Sequence, residues 1–202
     1  STLKTIMTPK TTAKTRKPRT VKVTAIPELP KNPFVFEILD LASKQRTKAK
    51  KVAVLQRYGD LALKQVMKWN YDTSIVSALP EGEVPYGNFE DDAMTSGNLT
   101  TKITLEVRRM HEQGNFSLGA SDSQGRTTIR REARNFYRFV RGGQDSLSNL
   151  RRETMFINIL QGLHPLEAEI LVLVKDGRLE EQYNISKDVV SEAFPDIIWG
   201  DA

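Results

Sequence analysis

The run between Pro165 and Gly177 constrains this chain most. Ile170, Leu171, Leu173 and Val174 make it apolar on nearly every side, and a helix with no polar face has to be enclosed by other elements. Its limits are well marked. Pro165 suits the first helical position, Glu167 sets a negative charge in the first turn against the helix dipole, and Gly177 closes the segment. The rest of the chain must then supply amphipathic helices to surround it, so a mainly α-helical domain is expected.

Those helices are legible from apolar spacing and capping residues. Asn32 as N-cap and Pro33 at the first position open a helix in which Val35, Ile38, Leu39 and Ala42 recur at i, i+3, i+4 and i+7. Thr47 caps a second helix through Val52, Ala53 and Leu55 to Tyr58, where Gly59 breaks it. Asp60 caps a third, with Leu63, Val66 and Met67 facing inward and Trp69 near its end. Over 128–141, Ile129, Ala133, Phe136, Tyr137 and Val140 share one face, and Gly142-Gly143 ends the helix. Ser146 caps the next, burying Leu150, Ile157 and Leu160 and turning Arg151 and Arg152 outward. Ser186 caps a last helix up to Phe194-Pro195, after which Ile197, Ile198 and Trp199 dock back on the core.

One stretch reads differently. Leu99, Ile103, Leu105 and Val107 alternate with polar residues as in a half-buried strand, although Leu99, Ile103, Val107 and Met110 also fit a helix. Thr100, Thr101 and Thr104 favour the strand. Glu112-Gln113-Gly114 would then turn the chain into a second strand with Phe116 and Leu118, followed by a loop over 121–125. The expected fold is mainly α: a compact helical domain over 32–202 with an inserted loop or β-hairpin over 93–126, preceded by an arm over 1–31.

That arm has eight Thr, four Pro and no helical period, so by itself it is expected to be disordered, or ordered only on a partner, where Val21, Val23 and Ile26 would make a short strand. It carries eight basic residues against Glu28 alone, and Lys10, Lys14, Arg16, Lys17, Arg19 and Lys22 are candidate contacts to a DNA or RNA backbone or to an acidic protein surface. The same sign recurs in the body. Residues 44–68 hold eight basic side chains and Asp60, with Lys44, Lys48, Lys51, Arg57, Lys64 and Lys68 on outer faces; Lys48 and Lys51 are taken as contacts. Residues 126–152 hold eight Arg against Glu132 and Asp145, and Arg130, Arg134, Arg138 and Arg141 form a helical stripe. The plainer reading of both sets is a solvated face. Acids dominate elsewhere: five over 81–92, and nine against three bases over 165–202.

The chemistry of catalysis is thin. There is no Cys and there are two His, His111 in an expected turn and His164 at a helix start. No HExxH, P-loop or GxGxxG occurs, and Glu90, Asp91 and Asp92 lack the spacing of a calcium loop. No catalytic residue, metal ligand, cofactor or small-molecule substrate is expected. No apolar run approaches the roughly 18 residues of a membrane span, and the N-terminal stretch lacks the apolar core of a secretory signal, so no membrane partner is expected.

Several short motifs extend along the chain: Leu79-Pro80-Glu81-Gly82 with Pro85-Tyr86, Glu132-Ala133-Arg134, Phe136-Tyr137, Phe139-Val140 with Gly142-Gly143, Arg152-Glu153, Met155-Phe156-Ile157 with Leu160, Glu167-Ala168, Val174-Lys175-Asp176 and Ala193-Phe194-Pro195. In these the stretch from Pro33 to Ile198 resembles a family of uncharacterised proteins of tailed bacteriophages, the T-even-like myoviruses and cyanophages. The arm and 93–126 depart from that pattern as additions. The resemblance implies a phage accessory protein, in the cytoplasm of the infected host or packaged in the virion, working with other phage or host proteins, and it supplies no catalytic residues. Three roles are compatible with this. One is nucleic-acid binding through the arm and basic helical faces. Another is a virion component whose arm threads along neighbouring subunits. The third is an inhibitor of a host enzyme whose acidic segments mimic a polyanion.

Overall fold

The computed structural model describes residues 25–85, 98–114 and 126–202. In chain order these form α1 (Val35–Lys44), α2 (Lys48–Tyr58), α3 (Leu61–Tyr71), α4 (Leu99–Gln113), α5 (Ile129–Glu132), α6 (Asn149–Gly162), α7 (Pro165–Val174) and α8 (Lys187–Ala193). A 3-10 helix over Ala133–Phe139 continues α5 directly, and a short one covers Leu179–Glu181. Among the described residues there is no strand, only an isolated antiparallel bridge between Ser77 and Val140.

The apolar helix α7 is central, with α1, α3, α4 and α6 packed on it, while α2 rests on α1 and α8. Ile170, Leu171 and Val174 are fully enclosed. The His164 ring is an unexpected cap for α7: its Nδ1 accepts from Leu166 N at 3.1 Å, and the ring packs on Phe34 and Phe36 with centroids 5.3 and 4.9 Å away. Glu167 does more than meet its own helix dipole. Its two carboxylate oxygens accept from Val35 N and Ile129 N, each at 3.0 Å, so one buried side chain caps the first residues of both α1 and α5. At the far end of α7, Lys175 Nζ donates to the carbonyls of Pro80 and Gly82 at 2.9 and 2.8 Å and pairs with Asp176, which accepts from Gly82 N at 3.1 Å. The Leu79–Gly82 motif is thus latched to the Val174–Asp176 motif.

Several caps fall where expected: Thr47, Asp60 and Ser186 accept from Lys50 N, Leu63 N and Val189 N. Others are corrected. The first helix begins after Phe34, not at Pro33; Asn32 takes a left-handed φ of 55°, and Glu37 reaches back to accept from Phe34 N at 3.0 Å. Ser148, not Ser146, caps α6, and this register leaves Leu150 exposed and buries Arg152. In α2 the inward residue is Val54 and Ala53 faces out, and in the C-terminal tail Ile198 points to solvent while Ile197 and Trp199 pack on the core. That tail is tied down by Asp72, which accepts from Gly200 N at 2.7 Å, and by Asp201, which accepts from Thr73 N at 2.9 Å.

The expected first strand is a helix. Leu99, Ile103, Val107 and Met110 form the buried stripe of α4 against α7, while Leu105, inward in the strand reading, is exposed. Asn98 caps it by accepting from Thr101 N at 2.8 Å, Thr104 Oγ1 donates back to Thr100 O, and Gly114 ends it at φ 69°. Packing of that stripe outweighs the modest strand preference of three threonines. His111 accordingly lies on α4 rather than in a turn. The second strand through Phe116 and Leu118, the 121–125 loop and the rest of the 93–126 insertion apart from 98–114 and Arg126 lie outside the described residues, as do Tyr86, Glu90, Asp91 and Asp92. Of the arm, residues 25–31 are described: Ile26 and Leu29 pack on the core, Leu29 N donates to the Tyr58 hydroxyl at 3.0 Å, and Glu28 pairs with Arg57.

Candidate nucleic-acid interface

The two basic runs of the body have different fates. In the first, Lys44 pairs with Asp40 at 2.8 Å, Lys48 with Glu192 at 3.1 Å and Lys64 with Asp196 at 2.7 Å. Lys51 is not on an outer face. It is buried and donates to Ser43 O at 3.3 Å and to Asn184 O, tying the end of α1 to the approach to α8. A lysine buried on backbone carbonyls in this way cannot reach out to a partner. Of the two candidates, Lys51 is therefore structural and Lys48 is an exposed ion-pair partner.

The second run keeps its charge. Arg130 pairs with Asp60, and Arg152 is buried with its guanidinium donating to the carbonyls of Arg138, Gln144 and Leu147 at 2.9 to 3.0 Å. The other six of its eight arginines, Arg126, Arg131, Arg134, Arg138, Arg141 and Arg151, have no acidic partner among the described residues. The expected straight α-helical stripe is corrected. From Ala133 the chain winds as a 3-10 helix, so that Ala133, Phe136 and Phe139, three residues apart, turn inward together. Tyr137, expected on the buried face, is 47% exposed.

This tighter winding makes a groove. Its floor is Trp69, Phe136 and Ala133, its sides are Ile75, Val140 and Tyr137, and Lys68 with Gln65 and Arg134 lie at the rim, around about 250 Å³. Trp69 is held by an Nε1–H bond to Ser77 Oγ at 3.0 Å and packs on Phe136 and Phe139 with centroids 5.4 and 6.4 Å away. Arg138 Nε donates to the Tyr137 hydroxyl at 3.0 Å. The strap over 76–78 crosses the end of the 3-10 helix, with Ala78 N donating to Phe139 O and Arg141 N to Val76 O, both at 2.8 Å. The Gly142-Gly143 turn completes the wall: Gly142 has φ 84°, and a Cβ on Gly143 would lie 1.7 Å from the Tyr137 carbonyl oxygen. Arg141 stands on the far side of the strap near Asp145 and Asn149.

The structure therefore brings Arg134 and Arg138 together with Tyr137 and adds Lys68, a basic residue outside the predicted contact set. Lys48 and Arg130 are instead held in ion pairs, and Lys51 is buried on backbone carbonyls. Lys10, Lys14, Arg16, Lys17, Arg19 and Lys22, with Val21 and Val23, lie outside the described residues. Among the described residues no cluster of His, Asp and Glu has the makings of a metal site, and no helix is long and apolar enough to cross a membrane. Burial holds His164 down at about 4, so its ring is neutral near pH 7 and is already used as a cap.

A helical domain with an unpaired arginine surface beside an aromatic groove is the class of protein these features define. The model of DUF6433, described as a family of unknown function, matches residues 38–123 and 118–181, and the chain belongs to that family. No curated protein and no solved structure matches the chain.

Proposed function

We propose that this chain is a non-enzymatic bacteriophage accessory protein that binds nucleic acid through its basic arm and its arginine surface while its helical body docks on a larger assembly. The observation that carries the binding part is the contrast between the two basic runs. In the first, four of eight cations are ion-paired and Lys51 is buried, leaving Arg46, Lys50 and Lys68, whereas 126–152 leaves six of eight arginines without an acidic partner among the described residues, beside exposed Tyr137. Unpaired arginines on a rigid surface suit phosphate recognition. The phage origin, and with it the infected cell or the virion as location, rests on the motif resemblance. The non-enzymatic part rests on the motifs missing from the sequence and on the structural use of His164.

The other readings have less to draw on. The acidic C-terminal third would make a poor polyanion mimic, because Asp176, Glu181, Glu192, Asp196 and Asp201 are paired with cations and Glu167 is buried. The virion reading draws no support from a strand edge over 99–113, which is helical. A column of immobilised DNA tests the proposal. The purified full chain is expected to be retained at about 50 mM salt and released by a few hundred millimolar, as phosphate contacts require. Passage without retention at low salt would contradict it.

A further inference from the structure

The groove beside Tyr137 has a chemistry that phosphate binding alone does not use. Its floor and sides are almost wholly apolar and aromatic: Trp69, Phe136, Ile75, Val140 and the exposed ring of Tyr137. Cations stand only at its mouth, where Lys68 comes from α3 and Arg134 from the 3-10 helix, and neither has an acidic partner among the described residues. At about 250 Å³ it falls below the roughly 300–1,000 Å³ of pockets for drug-sized ligands, so it suits one flat ring system rather than a large molecule.

Apolar walls exclude a bare phosphate, and two cations at the mouth disfavour a purely hydrophobic peptide. A planar ring attached to a negatively charged backbone satisfies both halves. We infer that the groove lined by Trp69, Phe136 and Tyr137 takes a single unstacked base of a single-stranded nucleic acid, with Lys68 and Arg134 on the phosphates flanking it. This rests on the nucleic-acid reading above and narrows it from any polyanion to single strands, since a base inside a duplex has no free face to offer. Tyr137 is the stacking platform, and its hydroxyl bond to Arg138 Nε fixes the ring, so little ordering is needed when a base arrives.

Fluorescence anisotropy of the full chain with labelled oligo-dT, oligo-U and a mixed-sequence duplex tests this. The single strands are expected to bind at least tenfold more tightly than the duplex at one salt concentration. Tyr137→Ala should lower single-strand affinity about tenfold, the loss of one base stack, and leave duplex binding and the salt slope unchanged, while Tyr137→Phe should retain most of the affinity. Tyr137 is half-exposed, so the alanine variant should keep its fold; a second readout covers the case in which it does not. Photo-crosslinking of the unaltered chain to an oligonucleotide bearing 5-iodouracil should place the adduct on the peptide containing Tyr137 or Trp69. Equal affinity for single strand and duplex, or adducts only elsewhere, would overturn the base site and leave phosphate binding standing. Absence of binding to all three probes at low salt would remove both.

Discussion

At the residue scale, buried Glu167 and His164 and half-buried Glu169 set how folding responds to pH between about 4 and 7. Burial pushes Glu167 up to about 7 against the pull of the two backbone N–H groups it caps and of Arg130. Burial likewise pushes Glu169 from 4.5 to about 7, and its Oε1 has no hydrogen-bond partner among the described residues. In the folded state each holds a proton between 4.5 and about 7 that the unfolded chain has released, so their contribution is complete below 4.5 and is lost as pH climbs through 7. His164 works the other way: held at about 4 against 6.5, it weakens folding as pH falls through that window. Two groups against one means that stability should decline from about pH 5 to pH 7.5. Glu169→Gln should flatten the decline and raise stability at pH 8 by about 1–2 kcal/mol, an amount reduced from the full shift because the side chain is partly solvated. Urea melts across that pH range check it, and an unchanged slope in the variant would show that Glu169 is not a source of the dependence.

At the scale of elements, what the sequence made legible was what local physics decides. Thr47, Asp60 and Ser186 cap where they stand, and the apolar run of α7 could only be central. The misreadings arose where a distant contact wins. In α4 the threonines spoke for a strand, but a stripe four residues apart had α7 to pack against. At α6 two serines stand two residues apart, and the choice of Ser148 goes with the burial of Arg152, which gathers the carbonyls of Arg138, Gln144 and Leu147. The 3-10 helix had a signal that α-helical periodicity hid. Ala133, Phe136 and Phe139 repeat every three residues, and that spacing turns Tyr137 outward. The burial of Lys51 had no local signal, since its acceptors are carbonyls of Ser43 and, across the fold, Asn184. The Gly142-Gly143 turn belongs to this scale too. Gly143→Ala must displace the Tyr137 backbone, so it should cost about 1–3 kcal/mol in thermal unfolding and lower single-strand affinity as Tyr137→Ala does. Wild-type melting and affinity would mean that the turn does not position the ring.

Over the whole molecule, charge is sorted rather than spread. The net +5 conceals an arm with eight cations, a first basic run in which four members are ion-paired and Lys51 is buried, an acidic C-terminal third that supplies two of those four partners, and an arginine surface without acidic partners among the described residues. Such sorting governs association, not fold. The most direct test of the central claim is the slope of log affinity against log salt for single-stranded DNA, measured on three full-length chains. These are the wild type, a chain with Lys14, Arg16, Lys17 and Arg19 replaced by Gln, and one with Arg134, Arg138 and Arg141 replaced by Gln. Each phosphate contact removed should reduce the slope by about 0.7, so both variants should bind more weakly, the arm variant with a slope shallower by about 3 and the surface variant by about 2. A steep wild-type slope that neither variant changes, or no measurable binding at 50 mM salt, would contradict the account.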